Sequence, residues 1–328
     1  HKHDNMISKS ILFCIAALSL CSYTSMAQEG KERIEPVPFG DMDNWMVREV
    51  KESFIIGGHT KYLYEINKGD TLKDNTPYKN VESPWGSSTV MAKVSGIYKA
   101  SVTVFPEKRG DGYCARMETR MEEVKVFGLI NISVLATGTI FLGELMEPVR
   151  DTKNPQGKLN HRIKFDKHPA AVEFDYKVEP GGKQIKATGF GRQQKFDIQN
   201  NAEVCVLLQQ RWEDEDGNVY AKRVGTAYER YDKPVTEWQN NYRIAFKYGD
   251  ITQDADYKPF MALIQGEEVP HCMNSKGEMV PIREVGWASP DTKPTHIVMR
   301  FSSGHGGAYI GAPDAKLWID NVKLVYKD

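Results

Sequence analysis

From Val172 to Val178 the chain alternates apolar and polar positions without a break. Val172, Phe174, Tyr176 and Val178 fall on one side, and Glu173, Asp175 and Lys177 on the other. A period of two marks a strand with one face in a core and one in solvent, as in an antiparallel sheet. Similar short runs of β-branched and aromatic residues recur, separated by Gly, Pro, Asn and Asp clusters. They predict strands over 96–105, 204–212, 219–228, 242–248, 260–264, 296–301 and 317–326. The 204–212 and 219–228 runs flank Glu213-Asp214-Glu215-Asp216-Gly217-Asn218, which reads as a hairpin with an acidic turn. Residues 120–126 fit either a short helix or a strand, and sustained helical periodicity is absent. Strands following strands predict an all-β fold, an antiparallel β-sandwich or barrel.

The N-terminal pattern differs. Lys9, the apolar run Ile11 to Leu20 and the small-residue site Ser25-Met26-Ala27 have the layout of an export signal. The run falls short of the ~20 apolar residues of a spanning helix, and no later run is long enough to cross a bilayer. His1 to Asn5 precede Met6 and read as an upstream scar. The expected organisation is therefore scar plus signal peptide over 1–27, a polar leader over 28–37, and a single sandwich over 38–328, with tandem sandwiches as the alternative. Export would place the protein in the periplasm, on the cell surface or outside the cell. Leu20 stands before Cys21 where a lipidated Cys normally follows a small residue, which argues against lipidation.

Composition narrows the function classes. The 43 Lys and Arg against 44 Asp and Glu leave a formal net charge of −1, without the basic excess that an electrostatic nucleic-acid binder needs. Hydrophobic residues at 40% suffice for a packed core. With Cys14 and Cys21 in the signal, Cys114, Cys205 and Cys272 remain, an odd number with no zinc spacing. Cys205 lies within an apolar run and reads as a core residue, and a disulfide between two of the three stays open.

Motifs for chemistry are sparse. Asp214-x-Asp216-x-Asn218 resembles the start of a calcium loop, but Val219 and Gly225 stand where that loop needs Gly and Glu. No Gly-x-Ser-x-Gly or His-Glu-x-x-His occurs, and the histidines do not cluster, so no metal site is expected. Glycoside hydrolysis needs two carboxylates at a set separation; Glu118, Glu122, Glu123, Glu144, Glu173 and Asp175 are available, but sequence cannot pair them. Arg116 and Glu118 share one side of a predicted strand, as an ion pair or as part of a polar ligand site. Sugar rings pack on flat aromatic faces while their hydroxyls seek polar partners. Trp85 and Trp287 lie in loop-like segments and are the candidate platforms, whereas Trp212 and Trp318, on predicted strands, are expected in the core.

The closing segment carries a resemblance. His296 to Ser303, a Gly-rich loop with Tyr309 and Gly311, and Leu317 to Tyr326 resemble the end of the putative carbohydrate metabolism domain family of secreted Bacteroidetes proteins. Residues 110–119, 138–144 and 168–177 fall in the family's order, so the resemblance spans Trp85 to Tyr326. The strand Leu317-Trp318-Ile319-Asp320-Asn321-Val322 also resembles the last strand of jelly-roll carbohydrate-binding modules. That likeness implies a jelly roll and makes Asp320 a candidate holder of a structural calcium, with turn capping or cation pairing as the alternative. The family supplies no catalytic residues, and no cofactor is expected. The implied function is an exported protein that binds or helps process an oligo- or polysaccharide at the cell envelope. Trp85 and Trp287 would act with Arg116, Glu118 and Lys177 as polar partners. A glycoside hydrolase with two carboxylates and a structural or adhesion protein are the alternatives.

Overall fold

A computed structural model describes residues 30–126 and 130–328. The expected signal segment, with Cys14 and Cys21, lies outside the described residues. Among those described the regular structure is β, broken only by short 3-10 turns. No helix there is long and apolar enough to cross a membrane.

Two sheets face each other. The first is antiparallel throughout, in the order Val235–Ala245, Ala171–Glu179, Lys316–Lys327, Gly112–Glu118, Val104–Arg109. Glu32–Pro36 pairs beside the second half of Lys316–Lys327, so part of the 28–37 leader segment is a strand of this sheet. The second sheet has ten strands, built around Val219–Tyr231, Ala202–Glu213, His296–Ser302 and Thr139–Leu142. Its end strands, Glu144–Leu145 and Trp85–Ser87, come together where Gly143 N donates to Pro84 O at 2.8 Å, so the sheet nearly closes on itself. The predicted all-β sandwich, antiparallel in most of its pairings, is the architecture found, with Val219–Tyr231 and Met279–Trp287 paired in parallel.

Strand parity builds the core. Val172, Phe174, Tyr176, Val178, Leu317 and Ile319 from the first sheet meet Val204, Val206, Leu208, Ile297, Met299 and Phe301 from the second. Phe174 sits edge-on to Phe301, with centroids 5.5 Å apart. Each such side chain contributes about 1.5–3 kcal/mol by leaving water. A one-residue slip of Ala171–Glu179 would drive Glu173, Asp175 and Lys177 inward in their place. The register is thereby held, and with it the identity of the outward residues.

Several expectations change. The 96–105 run divides into Ile97–Ser101 and Val104–Arg109, which join different sheets. Residues 120–126 form a strand paired with Ile130–Ala136. The apolar 260–264 segment is not a strand: it begins within a 3-10 turn at Pro259–Met261, and Phe260, Met261 and Ile264 cover Cys205, Leu207 and Val298 on the far side of the second sheet. That cover is what its apolar composition serves. The three remaining cysteines are buried and free, and burial pushes the Cys114 thiol up to about 12 and Cys205 to about 11.

Candidate functional site

Of the two tryptophans singled out as platforms, Trp85 is buried and Trp287 is half-buried over an ion pair. Trp85 begins a strand, is 1% exposed, donates from Nε1 to Pro38 O at 2.9 Å and packs on Phe301. Its Ser-, Pro- and Gly-rich surroundings form a short edge strand rather than a loop. Gly86 is required there, because a Cβ would lie 2.8 Å from Gly143 O. Trp287 ends the strand Met279–Trp287, half-buried, with the Arg223 guanidinium 5.2 Å from its ring. Arg223 is fully buried and paired with Glu284, so Trp287 shields a buried ion pair.

Arg116, Glu118 and Lys177 do come together, on the outer face of the six-stranded sheet. Lys177 stands opposite Trp318, Trp318 opposite Arg116, and Arg116 opposite Phe105, one row across four strands. Glu118 and Lys316 are opposed in the next row. Leu317 and Ile319 take the core side of the last strand, which turns Trp318 outward, half-buried. The expectation that Trp318 is a core residue is corrected by this parity. Trp212 likewise is 43% exposed, stacked on Tyr220.

Cations and rings alternate over this face. Lys177 Nζ lies 4.7 Å from the Trp318 ring centroid and 5.2 Å from that of Trp238. The Arg109 guanidinium covers Trp238 at 3.9 Å, and that of Arg116 covers Phe105 at 4.8 Å. Such contacts are each worth about 0.5–1 kcal/mol at exposed sites and more when desolvated. An ion-pair chain crosses the same rows: Arg116 to Glu107 at 3.0 Å, Arg116 to Glu118 at 3.5 Å, and Lys316 to Glu118 at 3.9 Å. The indole Nε1 of Trp318, itself buried, has no acceptor among the described residues.

Asp175 and Asp320 lie one row along, both on Nη1 of Arg109 at 2.7 and 2.8 Å. Asp175 also accepts from Asn241 N at 2.8 Å and Asn321 Nδ2 at 3.0 Å. Asn241 and Asn321 sit at positive φ where the register of both neighbouring strands shifts, so the carboxylate pins two bulges. Burial would raise Asp175, but bonds from Arg109, Asn321 and Asn241 hold it below the usual range. Burial lifts Asp320 to about 6 against the pull of Arg109. Asp320 thus pairs with a cation of the protein. Among the described residues no group of three or more His, Cys, Asp and Glu is placed to hold a metal. The other acids available from the sequence have cation partners as well: Glu173 pairs with Arg243, Glu144 with Arg162, Glu122 with Lys99 and Glu123 with Lys125.

The arrangement offers indole surface and polar side chains, and the carboxylates Glu118, Asp175 and Asp320 on this face are already paired with cations of the protein. The family model described as a putative carbohydrate metabolism domain matches residues 59–325. Among solved structures, a putative glycoside hydrolase from Bacteroides thetaiotaomicron VPI-5482 is 15% identical with a TM-score of 0.46, covering 86% of this chain and 71% of that one. A putative glycoside hydrolase from Bacteroides vulgatus ATCC 8482 is 13% identical with a TM-score of 0.39, covering 91% of this chain and 97% of that one. No curated protein matches the chain.

Proposed function

Because the chain belongs to the putative carbohydrate metabolism domain family, we propose that it is an exported glycan-binding protein whose ligand lies on the outer face of the six-stranded sheet. The observation that carries the reading is Trp318, an outward indole on a central strand, flanked in register by Lys177 and Arg116. Pyranose C–H faces pack on such rings, and hydroxyls bond to the side chains around them. The unpartnered Trp318 Nε1–H would meet a ligand oxygen once the flexible side chains around it shift. Binding is favoured over hydrolysis because the oxygens of Asp175 and Asp320 are already engaged by Arg109, Asn241 and Asn321. Export rests on Lys9, the Ile11 to Leu20 run and Ser25-Met26-Ala27.

A glycan array with the parent and Trp318→Ala, followed by a reducing-end assay on each hit, tests the reading. The expected result is binding that Trp318→Ala abolishes, without sugar release. Binding that survives the substitution, or release of reducing ends, would overturn it. Recovery of the protein from the cytoplasm with residues 1–27 attached would overturn export.

A further inference from the structure

We propose that this face selects acidic glycans, uronate-bearing or sulfated, and that Lys177 is the residue that selects them. The inference rests on the glycan-binding reading above and narrows its ligand class.

The cations of the face differ in one respect. Arg116 pairs with Glu107 and Glu118, Lys316 with Glu118, Arg109 with Asp175 and Asp320, and Arg243 and Lys323 with Glu173. The side chain of Lys177, in the middle of the same face, makes no ion pair and no hydrogen bond among the described residues. Its ammonium instead lies between the Trp318 and Trp238 rings. Indole faces attract an ammonium through their quadrupole but do not neutralise it. The charge therefore remains available to a ligand anion, and the rings displace part of the water that would screen it.

Placement adds to the argument. Lys177 is directly opposite Trp318, so a sugar ring packed against the indole would bring its substituents toward Nζ. A neutral sugar would leave the ammonium partly desolvated and unpaired, at a cost, whereas a carboxylate or sulfate would pair with it. Asp175, two residues along the strand, is bonded to Arg109, Asn241 and Asn321 rather than to Lys177. The chain's net charge of −1 means that selection by charge would be local to this site.

The test compares ligands that differ only in charge: oligogalacturonate with its methyl ester, and a sulfated glycosaminoglycan oligosaccharide with its desulfated form. Affinities would be measured for the parent, Lys177→Gln, Lys177→Arg and Trp318→Ala. The expected result is that the parent prefers the acidic member of at least one pair by about tenfold or more, the range of one charge-assisted bond. Added salt should erode that preference. Lys177→Gln should remove it by weakening the acidic member far more than the neutral one, and Lys177→Arg should retain it. Equal affinities within both pairs, or a preference that Lys177→Gln leaves intact, would overturn the inference. If neutral and acidic ligands bind alike and Trp318→Ala abolishes both, the binding face stands and only the role of Lys177 falls. If Trp318→Ala changes nothing, the face itself is wrong and the inference falls with it.

Discussion

Replacing Glu284 with alanine should cost about 3–5 kcal/mol, because it strands a buried charge as well as deleting a contact. Arg223 is 0% exposed and Glu284 3%. The pair is bidentate, with Arg223 Nε to Oε2 and Nη2 to Oε1 both at 2.6 Å. Glu284 also accepts from Gln209 Nε2 at 3.2 Å and from Ile264 N at 2.9 Å, which ties down the covering segment. Without it the guanidinium keeps only neutral acceptors: Thr226 Oγ1, Met261 O and Ala262 O. Denaturant and thermal unfolding followed by fluorescence would compare the parent, Glu284→Ala, Arg223→Ala and the double variant. At about 2–4 °C per kcal/mol for a chain of this order of size, the single changes should each lower Tm by roughly 10 °C. The double variant should lose less than the sum of the singles, since removing both ions leaves no buried charge. Burial would raise the Glu284 pKa, but Arg223 outweighs it and holds the group below its ordinary value of 4.5. The pair's contribution is therefore present above that value and lost as pH falls through the folded pKa. Losses below about 1 kcal/mol for both single variants, the range of an exposed pair, would refute the reasoning.

Three further outcomes follow from the same geometry. Trp287→Ala should lower Tm by uncovering Arg223 and leave glycan affinity unchanged; loss of affinity without loss of stability would restore Trp287 as a platform. Asp320, with its folded pKa raised from 3.8 to about 6, favours the folded state while protonated, so its contribution is lost as pH rises through that interval. Asp320→Asn should flatten the dependence, because an amide at this position does not titrate. A variant as pH-dependent as the parent between pH 4 and 6 would contradict this. Cys114, Cys205 and Cys272, buried and with no thiol pKa lowered, should resist thiol reagents until the protein is unfolded; rapid modification of the native protein would show that one of them is open.

The strand Ala171–Glu179 was legible residue by residue, since its alternation assigns Phe174 to the core and Lys177 to the surface without further information. The same parity places Trp318 outside, between inward Leu317 and Ile319, yet a rule based on residue type sent it to the core. Trp85 misled in the opposite direction. Turn-forming neighbours show that a strand is short, but they do not show that its side chain is covered by Phe301, more than two hundred positions away. The bond from Arg109 to Asp320 spans 211 positions, and only the strand order brings the two together. The apolar 260–264 run carried the signal of burial but not of conformation, because covering a sheet and joining one call for similar side chains.

The central claim is that the ligand sits on Trp318 and its neighbours. The protein's six tryptophans each contribute one indole N–H signal, and a titration of the uniformly nitrogen-15-labelled protein with an array-identified glycan follows all of them in one spectrum. The Trp318 and Trp238 signals should shift with a common dissociation constant, while those of Trp85, held by Pro38 O, and Trp287, over Arg223, stay in place. Shifts confined to Trp287 or Trp212, with Trp318 and Trp238 unmoved, would contradict the account and place the ligand on the second sheet.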